Sequence, residues 1–231
     1  MRILLFLFIL LFLSCEDKQT SKHKSNVTKD TSAVKNELPK NQKKERAYPR
    51  LTDDNALQFL RDYGKIHTEN KVRIVTDFGN IDILLYDKTI YHRANFIFLS
   101  KQNYFDFTQF YRVVPNFIIQ GGSSDGMDIA KRRKKIGRYL LPPDTKRGYS
   151  HKRGAISMPS SEIENAYKLA SPYQFFIVNQ KGGSSFLDGD YTVFGEVIEG
   201  MDVVDKINAV ETDEGEWPLK SVYIKTVEVL E

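Results

Sequence analysis

The sequence predicts a mainly β fold, an antiparallel barrel, and three observations carry that prediction. Short apolar runs with a period of two recur between glycine, proline and asparagine turn signals. Only two segments inside the predicted domain carry helical spacing. From Phe117 to Gln120 the alternation is clean enough to assign faces, with Phe117 and Ile119 on one side of a strand and Ile118 and Gln120 on the other.

The chain opens outside that domain. Arg2 precedes an apolar run from Ile3 to Leu13, closed by the small Ser14. A run of this length is too short to cross a bilayer as a stable helix, and residues 1–14 read as a secretory signal peptide. Cys15, the only cysteine, follows immediately. A disulfide within one chain is therefore excluded, as is a cysteine nucleophile in the domain. Phe12-Leu13-Ser14-Cys15 resembles a bacterial lipobox, which implies cleavage before Cys15 and lipidation there. Membrane attachment through lipidated Cys15 is thus expected, each buried methylene adding about 0.8 kcal/mol.

Residues 15–50 are rich in Lys, Asn, Ser, Thr and Gln and cannot build a core, so they read as a flexible tether. From Glu16 to Arg50 ten basic residues face five acidic ones. This net +5 and Arg2 exceed the chain's formal +4, so residues 51–231 carry −2. The basic character belongs to the tether, and no nucleic-acid partner is expected for the domain.

Residues 51–69 form a lead-in with a possible short amphipathic helix around Asn55 to Tyr63. Val72 to Tyr86 alternates about Gly79-Asn80 and predicts a hairpin turning there. Thr89 is expected to cap a helix running to Lys101, with Ile90, Ala94, Ile97 and Phe98 on its packed face. The basic run Lys131 to Lys135 reads as part of a solvated loop, an anionic surface such as lipid being the alternative. Strands are predicted at Gly154 to Met158, Gln174 to Asn179, Thr192 to Ile198 and Ser221 to Leu230, and a second helix at Gly200 to Ile207. His23, His67, His92 and His151 lack metal-ligand spacing and are assigned to surface or loop, with no metal site expected. Trp217, beside Pro218, is assigned to packing.

The most informative stretch is Phe110-Tyr111-Arg112-Val113-Val114-Pro115-Asn116-Phe117-Ile118-Ile119-Gln120-Gly121-Gly122. It closely resembles the central signature of cyclophilin-type peptidyl-prolyl isomerases. Arg153 to Met158, Gln174 to Ile177, Leu187-Asp188-Gly189 and Val193-Phe194-Gly195 resemble further segments of that family, in the same order. The resemblance covers residues 70–231. It implies a closed eight-stranded antiparallel barrel capped by two helices, with the substrate groove on its outer face. It also implies Arg112 and Gln120 as catalytic residues and Phe117, Ile118, Phe176 and Leu187 around a proline pocket. Gln174 and the main chain at Ser160 would hold the peptide, and Phe186 and Tyr191 would border it. Tyr111 stands where His is common, Pro159-Ser160 replaces Ala-Asn or Ala-Arg, Phe107 replaces Gly, and Phe186 and Tyr191 replace Trp and His.

The chemistry implied needs no cofactor. Rotation about a peptide bond meets a barrier of about 18 to 20 kcal/mol because the nitrogen lone pair is delocalised into the carbonyl. A donor to the prolyl nitrogen stabilises only the twisted state, in which that lone pair is localised. Proline-containing proteins or peptides are the expected substrates, exported or periplasmic in view of the signal, and a monomer in the cell envelope is expected. A non-catalytic proline-peptide-binding module, or holdase, is the alternative.

Overall fold

The computed structural model describes residues 46–160 and 165–231. The signal segment, Cys15 and the tether up to residue 45 lie outside the described residues. Eight strands close into a barrel in the order β10-β2-β3-β9-β7-β8-β5-β4, every neighbouring pair antiparallel. They are β2 (Lys71–Thr76), β3 (Gly79–Leu85), β4 (Thr108–Val114), β5 (Ile118–Ser123), β7 (Ala155–Ser157), β8 (Phe175–Val178), β9 (Val193–Glu199) and β10 (Val222–Leu230). Short strands β1 (Leu51–Thr52) and β6 (Gly137–Arg138) pair in parallel outside the barrel.

The β2–β3 hairpin turns at Asp77-Phe78, two residues before the expected Gly79-Asn80, and Gly79 already pairs with Thr76. Gly79 is required for another reason. Its φ is +129°, and a Cβ there would lie 2.8 Å from Val203 Cγ2. Gly137 is tighter still, since a Cβ at its φ of +147° would lie 1.9 Å from the Leu51 carbonyl oxygen.

Four α-helices, not two, accompany the barrel among the described residues: α1 (Ala56–Ile66), α2 (Ile90–Lys101), α3 (Met127–Ile136) and α4 (Met201–Asn208). In α1, Ala56, Leu60 and Gly64 fall four apart and form the buried stripe. Phe59 and Tyr63 meet the ring of Phe98 on α2 edge-on, with centroids 5.0 and 5.3 Å away. Tyr48, placed in the tether by composition, also packs edge-on against Phe98 at 5.0 Å.

Helix α2 departs from its expected face. His92 through Ser100 are all buried, whereas Ile90 is exposed. Thr89 is the residue before the helix, but its hydroxyl donates to the Tyr86 carbonyl oxygen at 3.0 Å and does not cap the first turn. Phe96 carries α2 into the core, its ring 4.8 Å from Phe105, 5.5 Å from Phe175 and 5.7 Å from Phe194.

The basic run is helical, not a loop. In α3, Ile129 and Ile136 are buried one heptad apart, and Arg132 and Arg133 are partly buried. Arg132 Nη1 donates to the carbonyl oxygens of Asn103 at 2.8 Å, Tyr104 at 3.0 Å and Asp106 at 2.6 Å. Arg133 Nη2 donates to the Ser123 hydroxyl at 2.9 Å, and its guanidinium lies over the Tyr173 ring. Lys131 Nζ also donates to Asp128 Oδ1 at 3.1 Å, so at least three of the five cations bind the chain itself.

Candidate active site

The period of two divides the barrel wall into two apolar clusters. Val113, Ile119, Ile156 and Ile177 belong to the interior. Ile118, Phe176, Val178, Ala155 and Val193 form a separate outer cluster, joined by the partly buried Phe117, Leu187 and Tyr191. Cross-strand pairing then lines up four positions in one row. Arg112 on β4 pairs with Gln120 on β5, Gln120 with Phe176 on β8, and Phe176 with Ser157 on β7. Two bulges in the β4–β5 ladder, between Gln109 and Phe110 and between Phe110 and Arg112, set this register.

At the polar end of the row, Arg112 Nη1 donates to Gln120 Oε1 at 3.3 Å. Arginine has only donors, so it fixes the orientation of the Gln120 amide. Gln120 Nε2 in turn donates to the Tyr111 hydroxyl. Glu216 Oε2 lies 2.7 Å from Arg112 Nε and 2.6 Å from Nη2. The guanidinium offers five N–H donors, and these contacts employ three. One N–H on Nη1 and one on Nη2 are not used by them.

Phe117 closes the apolar end. The β4–β5 turn that bears it is held by Asn208 at the end of α4, whose Nδ2 donates to the Val114 and Ile118 carbonyl oxygens at 2.9 and 3.1 Å. Asn208 Oδ1 accepts from the Asn116 N–H at 2.8 Å, supporting Asn116 in a left-handed conformation with φ +59°. The Phe117 ring stacks on Phe186 with centroids 5.6 Å apart. Phe186 and Leu187 lie on a 3₁₀ turn, Ser185–Leu187. Phe176 is buried against Tyr191, edge-on at 6.0 Å, and is stacked by His151 at 5.9 Å.

Asp188 fastens the Phe186-Leu187 turn. Its Oδ1 accepts from the His151 backbone N–H at 2.8 Å and lies 2.6 Å from His151 Nδ1, and its Oδ2 accepts from the Ser150 hydroxyl at 2.5 Å. Burial alone would raise the Asp188 carboxyl, but these bonds outweigh it and hold the group below its ordinary value. Burial pushes the His151 imidazole the other way, below its usual value, despite Asp188. His92 contradicts its assignment to surface or loop, being in α2 and 0% exposed, whereas His151 lies in the loop before β7 as assigned but is buried there, 1% exposed.

The structure thus brings together Arg112, Gln120, Phe117, Ile118, Phe176, Phe186, Leu187 and Tyr191. Ser160 and Gln174 lie just beyond the paired Ser157 and Phe176, at the same end of antiparallel β7 and β8. The Ser160 backbone bridges to Ala170 and Gln174 is half-buried. Trp217, which the sequence assigned to packing, is half-exposed, and its ring lies 6.2 Å from Tyr111 beside the site. Glu216 was missed altogether. The one visible signal was the chain's only tryptophan following Gly215-Glu216 outside every motif.

Residues 71–229 match the family model described as cyclophilin type peptidyl-prolyl cis-trans isomerase/CLD. A peptidyl-prolyl cis-trans isomerase of Acinetobacter baylyi is 37% identical over 145 residues, covering 61% of this chain and 73% of that protein. Peptidyl-prolyl cis-trans isomerase A of Dickeya dadantii is 32% identical over 175 residues, covering 71% and 86%. Peptidyl-prolyl cis-trans isomerase-like 2 of Rhizopus delemar is 34% identical over 169 residues, but this chain spans only 30% of its length. Among solved structures, a cyclophilin type isomerase of Cryptosporidium parvum, determined in the presence of the dipeptide Ala-Pro, matches with a TM-score of 0.59 and 25% identity, covering 70% of this chain and 99% of that one. The site's geometry and these matches lead to one conclusion: the chain belongs to the cyclophilin-type peptidyl-prolyl cis-trans isomerase family.

Proposed function

We propose that this domain accelerates cis-trans isomerisation at prolyl bonds of exported or periplasmic proteins, with Arg112 stabilising the twisted amide. The observation that carries this reading is the cross-strand row in which Arg112 and Gln120 adjoin Phe176 and the outer apolar cluster. The pyrrolidine ring would occupy the apolar pocket of Ile118, Phe117, Phe176 and Leu187. Gln120 would orient Arg112 and the carbonyl preceding proline. As the bond twists, the prolyl nitrogen gains a localised lone pair and accepts from Arg112, whose charge persists at all ordinary pH. No nucleophile, metal or redox group takes part in such a rotation.

The short apolar run ending at Cys15 supports export and lipid anchoring, with the tether giving the domain reach from a cell-envelope membrane. The N-terminal residue of the native protein, examined by mass spectrometry, tests it. A diacylated or triacylated Cys15 is expected, and an unmodified N-terminus beyond residue 15 would overturn the anchoring. For the chemistry, the full chain in detergent is assayed on a proline tetrapeptide. Turnover that falls in Arg112→Ala is expected, whereas peptide binding without turnover would leave a binding module in its place.

A further inference from the structure

The turn from Asp213 to Trp217 presents a carboxylate to Arg112. Asp213 Oδ1 accepts the backbone N–H of both Gly215 and Trp217 at 2.9 Å, and Asp213 N–H donates to the Trp217 carbonyl oxygen at 2.9 Å. Glu216 N–H donates to the Asp213 carbonyl oxygen at 3.1 Å, and the Glu216 carbonyl oxygen accepts from Val113 N–H at 2.8 Å. That last bond ties the turn to β4, one residue from Arg112. Glu216 itself is left-handed, φ +65°, a conformation costly to any residue but glycine. Such strain persists only where the surroundings over-determine it.

The Arg112 and Glu216 side chains are 36% and 37% exposed. A pair so well solvated contributes little to folding stability, so stability alone does not account for a strained residue in a turn held by five hydrogen bonds, two of them at its own backbone. Its geometric effect is larger. Without Glu216, the long Arg112 side chain would be held by the 3.3 Å bond to Gln120 and would keep most of its rotamer freedom. With Glu216, a single carboxylate oxygen fixes Nε and Nη2, Gln120 takes one Nη1 donor, and the guanidinium plane is determined.

We propose that Glu216 is a positioning residue that holds the Arg112 guanidinium in the orientation needed at the transition state. This rests on the isomerase reading, and it adds a partner for the arginine that the family signature around Arg112 does not contain. Because the contribution lies in alignment, its loss falls on kcat more than on KM.

The test uses the full chain in detergent, with Glu216→Ala, Glu216→Gln, Arg112→Ala and the Arg112→Ala/Glu216→Ala double variant, each checked for native thermal unfolding. Glu216→Ala should lower kcat by about tenfold with KM changed less than about twofold. Glu216→Gln, which keeps an acceptor oxygen, should recover most of that loss. The double variant should be no slower than Arg112→Ala, because Glu216 acts only through the arginine. In ¹⁵N–¹H spectra, the Arg112 Nε–H signal, identified by its disappearance in Arg112→Lys, should be resolved in the native protein and averaged towards free arginine in Glu216→Ala. An unchanged kcat in Glu216→Ala, an additive double variant, or faster turnover without the carboxylate would each overturn the proposal. A native protein with no turnover at all would instead overturn the isomerase reading itself.

Discussion

Strands β5 and β8 present two faces with opposite duties. Ile119 and Ile177 point into the core, and Ile118 and Phe176, one residue away along each strand, build the outer pocket. The inner face is apolar and fully enclosed. The outer face joins an apolar patch to Arg112, Gln120 and Glu216. The difference teaches that one ladder carries both the core and the proposed site because the side-chain period is two, so substitutions at adjacent positions should fail in different ways.

The largest effect is expected on the inner face, at Phe175. It is fully buried, and its ring meets Phe96, Phe105 and Phe110 edge-on at 5.5, 5.8 and 5.9 Å. Phe175→Ala leaves a cavity among rings that cannot close it, and should cost about 3 to 5 kcal/mol of unfolding free energy. Chemical denaturation measures this. A loss under about 1 kcal/mol would show that the inner face is not the stability determinant claimed here.

His92 sharpens the comparison, since it is a titratable group on the inner side. It is fully buried, neither ring nitrogen has a hydrogen-bond partner, and its ring lies 6.1 Å from Phe194. Burial holds its imidazole down at about 4, with Asp144 pulling weakly the other way. A lowered folded value means that the unfolded chain binds the proton first. The stability tied to neutral His92 is therefore complete above about pH 6.5 and is lost progressively as pH falls towards 4, by up to about 3 kcal/mol. His92→Phe should flatten the stability profile between those limits. An identical acid slope in the variant would remove His92 as its source.

On the outer face the signature changes. Arg112→Ala should leave the unfolding free energy within about 0.5 kcal/mol of native, because the side chain is partly solvated and carries no core packing. Yet kcat/KM should drop at least about tenfold, equivalent to about 1.4 kcal/mol of transition-state stabilisation. Denaturation and the peptide assay on one preparation separate the two quantities. A variant that unfolds as readily as Phe175→Ala would erase the division between the faces.

Much of this was legible because strand faces follow directly from alternation. Ile118 to Gln120 gave one wall of the pocket and the row. Phe117, expected on the face of Ile119, instead sits in the turn before β5, escapes the alternation and joins Ile118 in the outer cluster. The family resemblance assigned these residues roles. Contacts made across long sequence separations were not legible. Glu216 reaches Arg112 over 104 positions, and nothing in Asp213 to Pro218 announces which strand it will meet. Helix α3 was hidden for a different reason. Its run of cations reads as solvated until Arg132 and Arg133 find the carbonyl oxygens and hydroxyls of Asn103, Tyr104, Asp106 and Ser123. Phe107, in the position where glycine is usual, does adopt the left-handed conformation that glycine would favour, φ +60°, with its ring exposed.

The smallest effect is expected at the rim, where Phe186 is 68% exposed and stacked on Phe117. In family members sensitive to cyclosporin the matching residue is a tryptophan, whose indole N–H donates to the drug while its ring covers apolar surface. Phenylalanine retains the apolar contact but leaves a drug carbonyl without a donor. One such bond contributes about 0.5 to 1.5 kcal/mol net, up to about tenfold in affinity. Phe186 stacks on Phe117 and has no place in the Arg112–Gln120–Glu216 constellation, so turnover should not depend on it. Weak inhibition of the native protein is therefore expected, with up to about tenfold tighter inhibition of Phe186→Trp at similar isomerase rates. Titration of both proteins decides the matter: tight inhibition of the native form, or no gain in the variant, would show that the rim position does not control drug binding in this chain.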